Sequence, residues 1–253
     1  MSSQHSLDVV APLVFAVIII AGWSLLAHAP GVEPWVLPSP EAVLTRVIDE
    51  VGRPQLWWAL AVTAREAVLG CVLGTLVALP LAYAIYRSRI VAAAVEPFLG
   101  ATQAIPAIAL APVLVLWVGY GLGAIVCLCT LMVFFPILVT TTLGLRHLDA
   151  DILDAARLDG AGGWHMLSRI EAPLTASAIL TGARGGFALS VTGAVVGEMV
   201  MGGTGLGTVL TVQRQNVDTT GMFVTIGLLC ILAMSAYTIL YAIERRWRHS
   251  ITG

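Results

Sequence analysis

Six apolar runs constrain what this chain can fold into more than any other feature. They occupy about residues 9–27, 55–86, 90–118, 124–145, 174–201 and 222–243. A helix needs about 20 apolar residues to cross a bilayer core of about 30 Å. Charged residues make up 11% of the chain, well under the share of about 25% in soluble domains. We therefore predict a single all-α domain, residues 1–253, that is a polytopic membrane bundle of six transmembrane helices.

The first run, Val9 to Ala27, has a second interpretation as a secretory signal peptide. Ala27-His28-Ala29 imitates a cleavage site of the small-x-small type. However, residues 1–8 contain no arginine or lysine, and Pro30 would follow the cut, where it disfavours processing. We therefore predict an uncleaved membrane span.

The third run is interrupted by Pro97, Pro106 and Pro112. A lipid-facing helix with three prolines would leave backbone groups without partners in hydrocarbon. The sequence therefore predicts a broken or kinked segment inside the bundle.

A helix start signal follows the first run. Ser39 is a predicted N-cap, Pro40 suits the first helical position and Glu41 suits the first turn. Apolar residues then recur on one face from Val43 to Val51. This pattern predicts a short amphipathic helix that lies on the membrane surface or docks on the spans.

The longest polar segment, residues 149–173, separates the fourth and fifth runs. Asp151 is a predicted cap for a short helix over 152–158, and Gly160 can end that helix in the left-handed conformation. A second short helix is predicted over 164–170. Pro173 suits the first turn of the long apolar helix that follows.

Within this segment the spacing of seven residues resembles the "EAA" signature of permease subunits of binding-protein-dependent ABC importers. These residues are Asp154, Ala155, Ala156, Gly160, Ile170, Ala172 and Pro173. Asp154 stands where glutamate is typical, and Ala172 stands where leucine is typical. Leu37-Pro38-Ser39-Pro40 also resembles an element of the nitrate, sulfonate and taurine branch of the family. A Gly-Leu-Gly after the fifth span is common in the family, and Gly205-Leu206-Gly207 resembles it.

The resemblance implies the type I ABC importer permease fold and a set of partners. Those partners are a second permease copy in a homodimer, two copies of a cytoplasmic ABC ATPase and an external solute-binding protein. It also implies that segment 149–173 couples the ATPase to alternating access. The residues implied in this coupling are Asp154, Ala155, Ala156, Arg157, Gly160 and Pro173.

The sequence predicts no enzyme activity in the chain itself. It contains no lysine, whereas a Walker A loop holds nucleotide phosphates with one. We therefore expect no cofactor here and ATP bound by the partner ATPase. The cysteines and histidines have no metal-ligand spacing, and no catalytic constellation is present, so no catalytic or metal site is predicted.

Arginine distribution predicts the orientation. Six spans place both termini on the side of segment 149–173, and eight arginines fall on that side: Arg87, Arg89, Arg146, Arg157, Arg169, Arg245, Arg246 and Arg248. The other side has Arg46, Arg53 and Arg214. The positive-inside rule therefore predicts cytoplasmic N- and C-termini in a bacterial plasma (inner) membrane.

Polar residues inside the runs are candidates for a translocation path or gate, because intramembrane charges are costly and usually paired or hydrated. The candidates are Arg65, Glu198, Arg184, Gln103 and Thr192, and Glu66 is a further charge inside the second run. A buried ion pair between Arg65 and Glu198 that fixes helix register is the alternative. Glu96 is predicted to lie at the membrane interface.

Small residues are frequent in the fifth run, and they allow close helix packing or a subunit interface. They are Gly182, Gly185, Gly186, Gly193 and Gly197.

The resemblance to the nitrate and sulfonate branch favours nitrate, taurine or another sulfonate as the solute. A permease for a thiamine-precursor pyrimidine or a similar small organic solute is the alternative. A stand-alone secondary carrier, coupled to an ion through Glu198 or Arg65, is the alternative of another class. A membrane scaffold that transports nothing would leave segment 149–173 unexplained.

Overall fold

The computed structural model describes the backbone of residues 2–103 and 106–252 and the side chains of residues 10–99 and 106–246. In this part of the chain the regular structure is helical throughout, which confirms the all-α prediction. The α-helices are α1 (Ser2–Ala27), α2 (Pro40–Val51), α3 (Pro54–Arg87), α4 (Arg89–Gln103), α5 (Ala107–Val118), α6 (Leu122–Arg146), α7 (Ala150–Leu158), α8 (Gly163–Met166), α9 (Ala172–Met201), α10 (Leu206–Gln215) and α11 (Thr219–Thr252). A π-helical turn, Leu167–Glu171, joins α8 to α9.

Among the described residues, five helical segments are long and apolar enough to cross a membrane. They are Val10–Ala27, Pro54–Arg87, Leu122–Arg146, Gly163–Met201 and Thr219–Arg246. The apolar helix Ala107–Val118 is shorter, at about 1.5 Å per residue, than a bilayer core requires. The proline-rich third run is therefore two helices, α4 and α5. Pro106, with extended backbone angles, precedes the first residue of α5.

The chain divides into two compact units. The first combines Met1–Trp58 with Val209–Leu228, and the second combines Ala59–Thr208 with Leu229–Gly253. The helices α3, α10 and α11 each contribute residues to both units.

In the first unit, side chains join the end of α1, the start of α2 and the start of α11. The Trp23 indole N–H donates to the Pro38 carbonyl at 2.9 Å, and the Trp23 ring stacks on Phe223 at 5.6 Å between centroids. Arg46 of α2 donates to Asp218 Oδ2 at 2.7 Å. It also donates to Glu50, and that hydrogen bond raises the pKa of Arg46, so Arg46 stays charged.

The helix α2 forms as its sequence predicts. The Ser39 hydroxyl accepts from the Ala42 N–H at 3.3 Å, and Pro40 occupies the first turn. Leu44 and Ile48, one turn apart, are 63% and 68% exposed. The helix therefore keeps an apolar stripe on the outside of its unit.

In the second unit, α6 and α9 pack along most of their lengths. Small residues of α9 make the close approach possible, because a Cβ at Gly182 would lie 2.1 Å from Thr140 Oγ1. A Cβ at Gly193 would lie 3.2 Å from the Cα of Cys129. A Cβ at Gly185 would meet nothing within 4 Å. Packing against α6 therefore accounts for most of the small-residue pattern in the fifth run but not for Gly185.

Candidate functional site

The N-cap of helix α7 lies two residues before the cap predicted from the sequence. Asp149, not Asp151, is the N-cap, and its carboxylate accepts from the Asp151 N–H at 2.9 Å. The prediction for Asp151 was wrong because the helix already starts at Ala150. Asp151 instead lies in the first turn, where its charge stabilises the helix dipole. Gly160 has φ +85°, which is the left-handed conformation that the sequence predicts after α7.

The second predicted helix, over 164–170, is not a separate element. It begins as α8 at Gly163, widens into the π-helical turn Leu167–Glu171 and continues without interruption into α9. Pro173 lies in the first turn of α9. A π-helical turn inside a helix often occurs at a functional site, and here it connects the polar segment directly to a membrane-spanning helix.

The polar segment presents apolar side chains around a charged pair. Leu158 and Trp164 are 89% and 77% exposed. Asp154 and Arg157 pair at 2.5 Å, with both side chains more than half exposed, so the pair contributes little to stability. Ala155 is exposed, and Ala156 is half-buried. Exposed large apolar residues beside small ones form a surface suited to docking another protein.

A concave surface follows α7. Its volume is about 670 Å³, and it is lined by Asp159, Gly160, Ala161, Gly162, His165, Arg169 and Ile170. Arg169 is exposed and forms no ion pair within 4 Å in the part of the chain that has described side chains. The concavity can therefore receive a polar or acidic side chain from a partner.

A second polar cluster lies inside the bundle around Glu198, which is 1% exposed. Its Oε1 accepts from the Thr63 hydroxyl at 2.7 Å, and its Oε2 accepts from the Gly207 N–H. The Thr63 hydroxyl oxygen also accepts from the Leu206 N–H at 2.8 Å. Glu198 of α9 therefore fastens the start of α10 to α3.

Arg65 does not belong to this cluster. It is exposed, whereas its neighbour Glu66 is 3% exposed and lies next to the Glu198 carboxyl group. The predicted ion pair between Arg65 and Glu198 is absent from the described side chains, because successive helical residues point about 100° apart. Sequence reasoning counted Glu66 among the charges inside the spans but did not place it beside Glu198. It missed Thr63, although a spacing of three places Thr63 and Glu66 on one face of α3.

The charge of Arg184 is paired with an acidic side chain within the second unit. It pairs with Glu244 of α11 at 3.0 Å, and its side chain is 12% exposed. Its guanidinium also lies 5.2 Å and 5.4 Å from the ring centroids of Tyr237 and Tyr241. Each of these contacts joins α9 to α11, so Arg184 holds the two helices together.

The remaining candidates differ in their surroundings. Thr192 is exposed on α9, and its hydroxyl donates to the Ala188 carbonyl at 3.2 Å. The side chain of Gln103 lies outside the described residues. Glu96 pairs with Arg146, and both side chains are about two-fifths exposed. The described residues contain no group of three or more His, Cys, Asp or Glu that could hold a metal ion.

Known proteins resemble this chain over most of its length. Residues 70–249 match the family described as "Binding-protein-dependent transport system inner membrane component". The chain is 34% identical to the riboflavin transport system permease protein RibX of Chloroflexus aurantiacus, over 92% of this chain and 88% of the relative. It is 31% identical to the formylaminopyrimidine transport permease protein ThiX of Halalkalibacterium halodurans, over 95% and 96%. It is 28% identical to the putative aliphatic sulfonates transport permease protein SsuC of Escherichia coli, over 94% and 90%.

The fold is similar to that of solved ABC importers. An inward-facing structure of the MetNI methionine ABC transporter aligns with a TM-score of 0.68 and 21% identity, over 76% of this chain and 95% of the other. This likeness concerns the fold alone and agrees with the type I permease fold. The chain therefore belongs to the family of inner membrane components of binding-protein-dependent transport systems, and it is the permease subunit of an ABC importer.

Proposed function

We propose that this permease moves a small solute inward by alternating access and that segment 149–173 receives the driving motion from the ATPase. The observation that carries the proposal is the exposure of Leu158 and Trp164 on either side of the Gly160 bend. Asp154 and Arg157 supply polar contacts at the same surface. The small side chains of Ala155 and Ala156 allow the ATPase to approach the backbone of α7 closely. The unbroken path from α8 through the π-helical turn into α9 would carry the movement toward the membrane.

The proposed assembly has two copies of this chain and two ATPase subunits, with an external solute-binding protein. ATP is bound by the ATPase, and this chain holds no cofactor. The segment 149–173 and both termini lie in the cytoplasm, which is supported by the excess of arginine on that side. The ATPase can then reach the exposed surface of α7 and α8.

The names of the relatives favour a nitrogen heterocycle over a sulfonate as the solute. Two relatives above 30% identity are named for riboflavin and formylaminopyrimidine transport, whereas two relatives named for aliphatic sulfonates transport are 25% and 28% identical. We therefore propose the alternative of a thiamine-precursor pyrimidine or similar organic solute ahead of nitrate, taurine or another sulfonate. Uptake of labelled formylaminopyrimidine and labelled taurine by vesicles containing the complete transporter would distinguish the two.

The predicted path residues remain candidates with different support. Thr192 is exposed on α9, so it is available to line a path between two copies. Glu198 and Arg184 are engaged by other side chains, which favours a positioning role for both. Gln103 and Arg65 remain predictions.

Co-purification with the ATPase subunit tests the role of segment 149–173. We expect Gly160→Pro combined with Asp154→Arg to abolish the complex and the ATPase activity that depends on it. The control is Gly52→Ala, because Gly52 lies outside segment 149–173, has no atom within 4 Å of an added Cβ and has an ordinary right-handed backbone. An intact and fully active complex of the double variant, inserted like wild type, would contradict the proposal. Transport without any ATPase would favour a stand-alone carrier instead.

A further inference from the structure

An apolar groove with a volume of about 540 Å³ lies between α3, α9 and α11. Residues that line it include Val68, Val72 and Leu76 of α3, Phe187 of α9, and Ala236 and Ile239 of α11. All three helices contribute these residues from membrane-spanning segments. The groove is therefore open to the hydrocarbon region of the bilayer.

The length of the groove corresponds to one leaflet. On α3 its lining runs from Ala64 to Leu76, which is about 18 Å at the rise of an α-helix. The whole hydrocarbon core is about 30 Å thick. A single acyl chain from one leaflet can therefore lie along the groove, whereas the groove is too short to accompany a complete membrane-spanning helix.

Arg65 marks the end of the groove nearer the start of α3. It is exposed, and a spacing of seven and eleven residues places it on the same face of α3 as Val72 and Leu76. Among the described side chains Arg65 forms no salt bridge. It lies seven residues beyond Trp58, a residue type that concentrates at the membrane interface. Its long side chain can reach back along the helix to the headgroup level.

We propose that a phospholipid binds here, with its phosphate on the Arg65 guanidinium and one acyl chain in the groove. The guanidinium matches phosphate geometry through paired hydrogen bonds. A charge exposed on a membrane span needs such a partner, because hydrocarbon provides none. The nearly continuous apolar lining from Val68 to Leu76 suits the acyl chain of the lipid.

A second copy of the protein is a less suitable occupant. A protein helix packed on this face would bury Arg65 and would need an acid at the same depth. The phospholipid supplies the opposite charge and the apolar chain in one molecule. A headgroup with net negative charge should bind more tightly than a zwitterionic one, because its phosphate is not neutralised by an amine.

Native mass spectrometry of the purified permease–ATPase complex, delipidated and then titrated with phosphatidylglycerol, tests the proposal. We expect one saturable lipid per permease chain in the wild type. Arg65→Gln should weaken it about tenfold or more, as expected for the loss of a charge-assisted hydrogen bond. Ala236→Phe should fill the groove and weaken binding independently of charge. The control is Arg89→Gln, since Arg89 is exposed but lies outside the groove.

Three outcomes would overturn the proposal. The first is wild-type lipid affinity in Arg65→Gln, and the second is wild-type affinity in Ala236→Phe. The third is efficient crosslinking between two copies through Val72→Cys in a background without the native cysteines, which would assign the groove to a second copy. Loss of transport in Arg65→Gln with unchanged lipid binding falls under the first outcome and would return Arg65 to the translocation path.

Discussion

Thr63 and Glu198 lie 135 residues apart in the sequence, yet the Thr63 hydroxyl donates to Glu198 Oε1 at 2.7 Å. The same hydroxyl oxygen accepts from the Leu206 N–H. One side chain of α3 thus satisfies both a buried carboxylate of α9 and the backbone at the start of α10. A buried carboxylate is costly when its oxygens have no partners, so this pair stabilises the junction of the three helices.

We expect Thr63→Val to destabilise the protein by about 2 kcal/mol or more, because it leaves the carboxylate and the Leu206 N–H without their shared partner. Thr63→Ser keeps the hydroxyl and should cost less than half as much. Thermal unfolding of the purified variants in one detergent measures the difference. Equal unfolding temperatures for the two variants would show that the hydroxyl does not matter.

The junction of α3, α9 and α10 around Glu198 also has no room for a side chain at position 205. A Cβ at Gly205 would lie 2.0 Å from Glu198 Oε1, whereas the nearest atom to a Cβ at Gly203 is 3.5 Å away. Gly205→Ala should therefore cost about 1–3 kcal/mol through overpacking, and Gly203→Ala should be near neutral. The same unfolding assay compares them. A Gly205→Ala variant as stable as Gly203→Ala would mean that the loop relaxes away from Glu198 without cost.

Local signals predicted local structure well in this chain. Ser39 and Pro40 start α2, and Gly160 ends α7, because each depends on the conformation of a few neighbouring residues. The partner of Glu198 could not be predicted in this way. It depends on the rotation of α3 relative to α9. Successive residues of a helix point about 100° apart, and for this reason Glu66 faces Glu198 whereas Arg65 is exposed.

In segment 149–173, too, the sequence predicted the features that depend on neighbouring residues but not the way in which the helices join. Its glycine bend and the proline at the start of α9 follow from residue chemistry, whereas the fusion of α8 with α9 through a π-helical turn does not. The resemblance of Gly205-Leu206-Gly207 to the family pattern is one reason for glycine at position 205. Gly205 has a further reason to be glycine, namely the close approach to Glu198, which only the packing of the helices shows.

Substitutions at Gly182 and Gly185 can distinguish helix packing within one chain from packing between two copies of the chain. A Cβ at Gly182 would lie 2.1 Å from Thr140 Oγ1 of α6, and a Cβ at Gly185 would meet nothing. We expect Gly182→Ala to lower stability by about 1–3 kcal/mol, measured by unfolding in detergent. Gly185→Ala should leave the stability of the single chain unchanged. If Gly185→Ala instead weakens a dimer in size-exclusion chromatography, Gly185 lies at the interface between copies.

Arg184 and Glu244 provide a test of how α9 and α11 are held together. Their side chains are 12% and 4% exposed and lie 3.0 Å apart, so removing either one leaves a poorly hydrated charge. We expect Arg184→Met and Glu244→Met each to cost about 3–5 kcal/mol, and the double variant to cost less than their sum. A double-mutant cycle by chemical unfolding should therefore give a coupling of about 1–3 kcal/mol. Strict additivity would show that the stacking of Arg184 on Tyr237 and Tyr241, rather than the ion pair, joins the two helices.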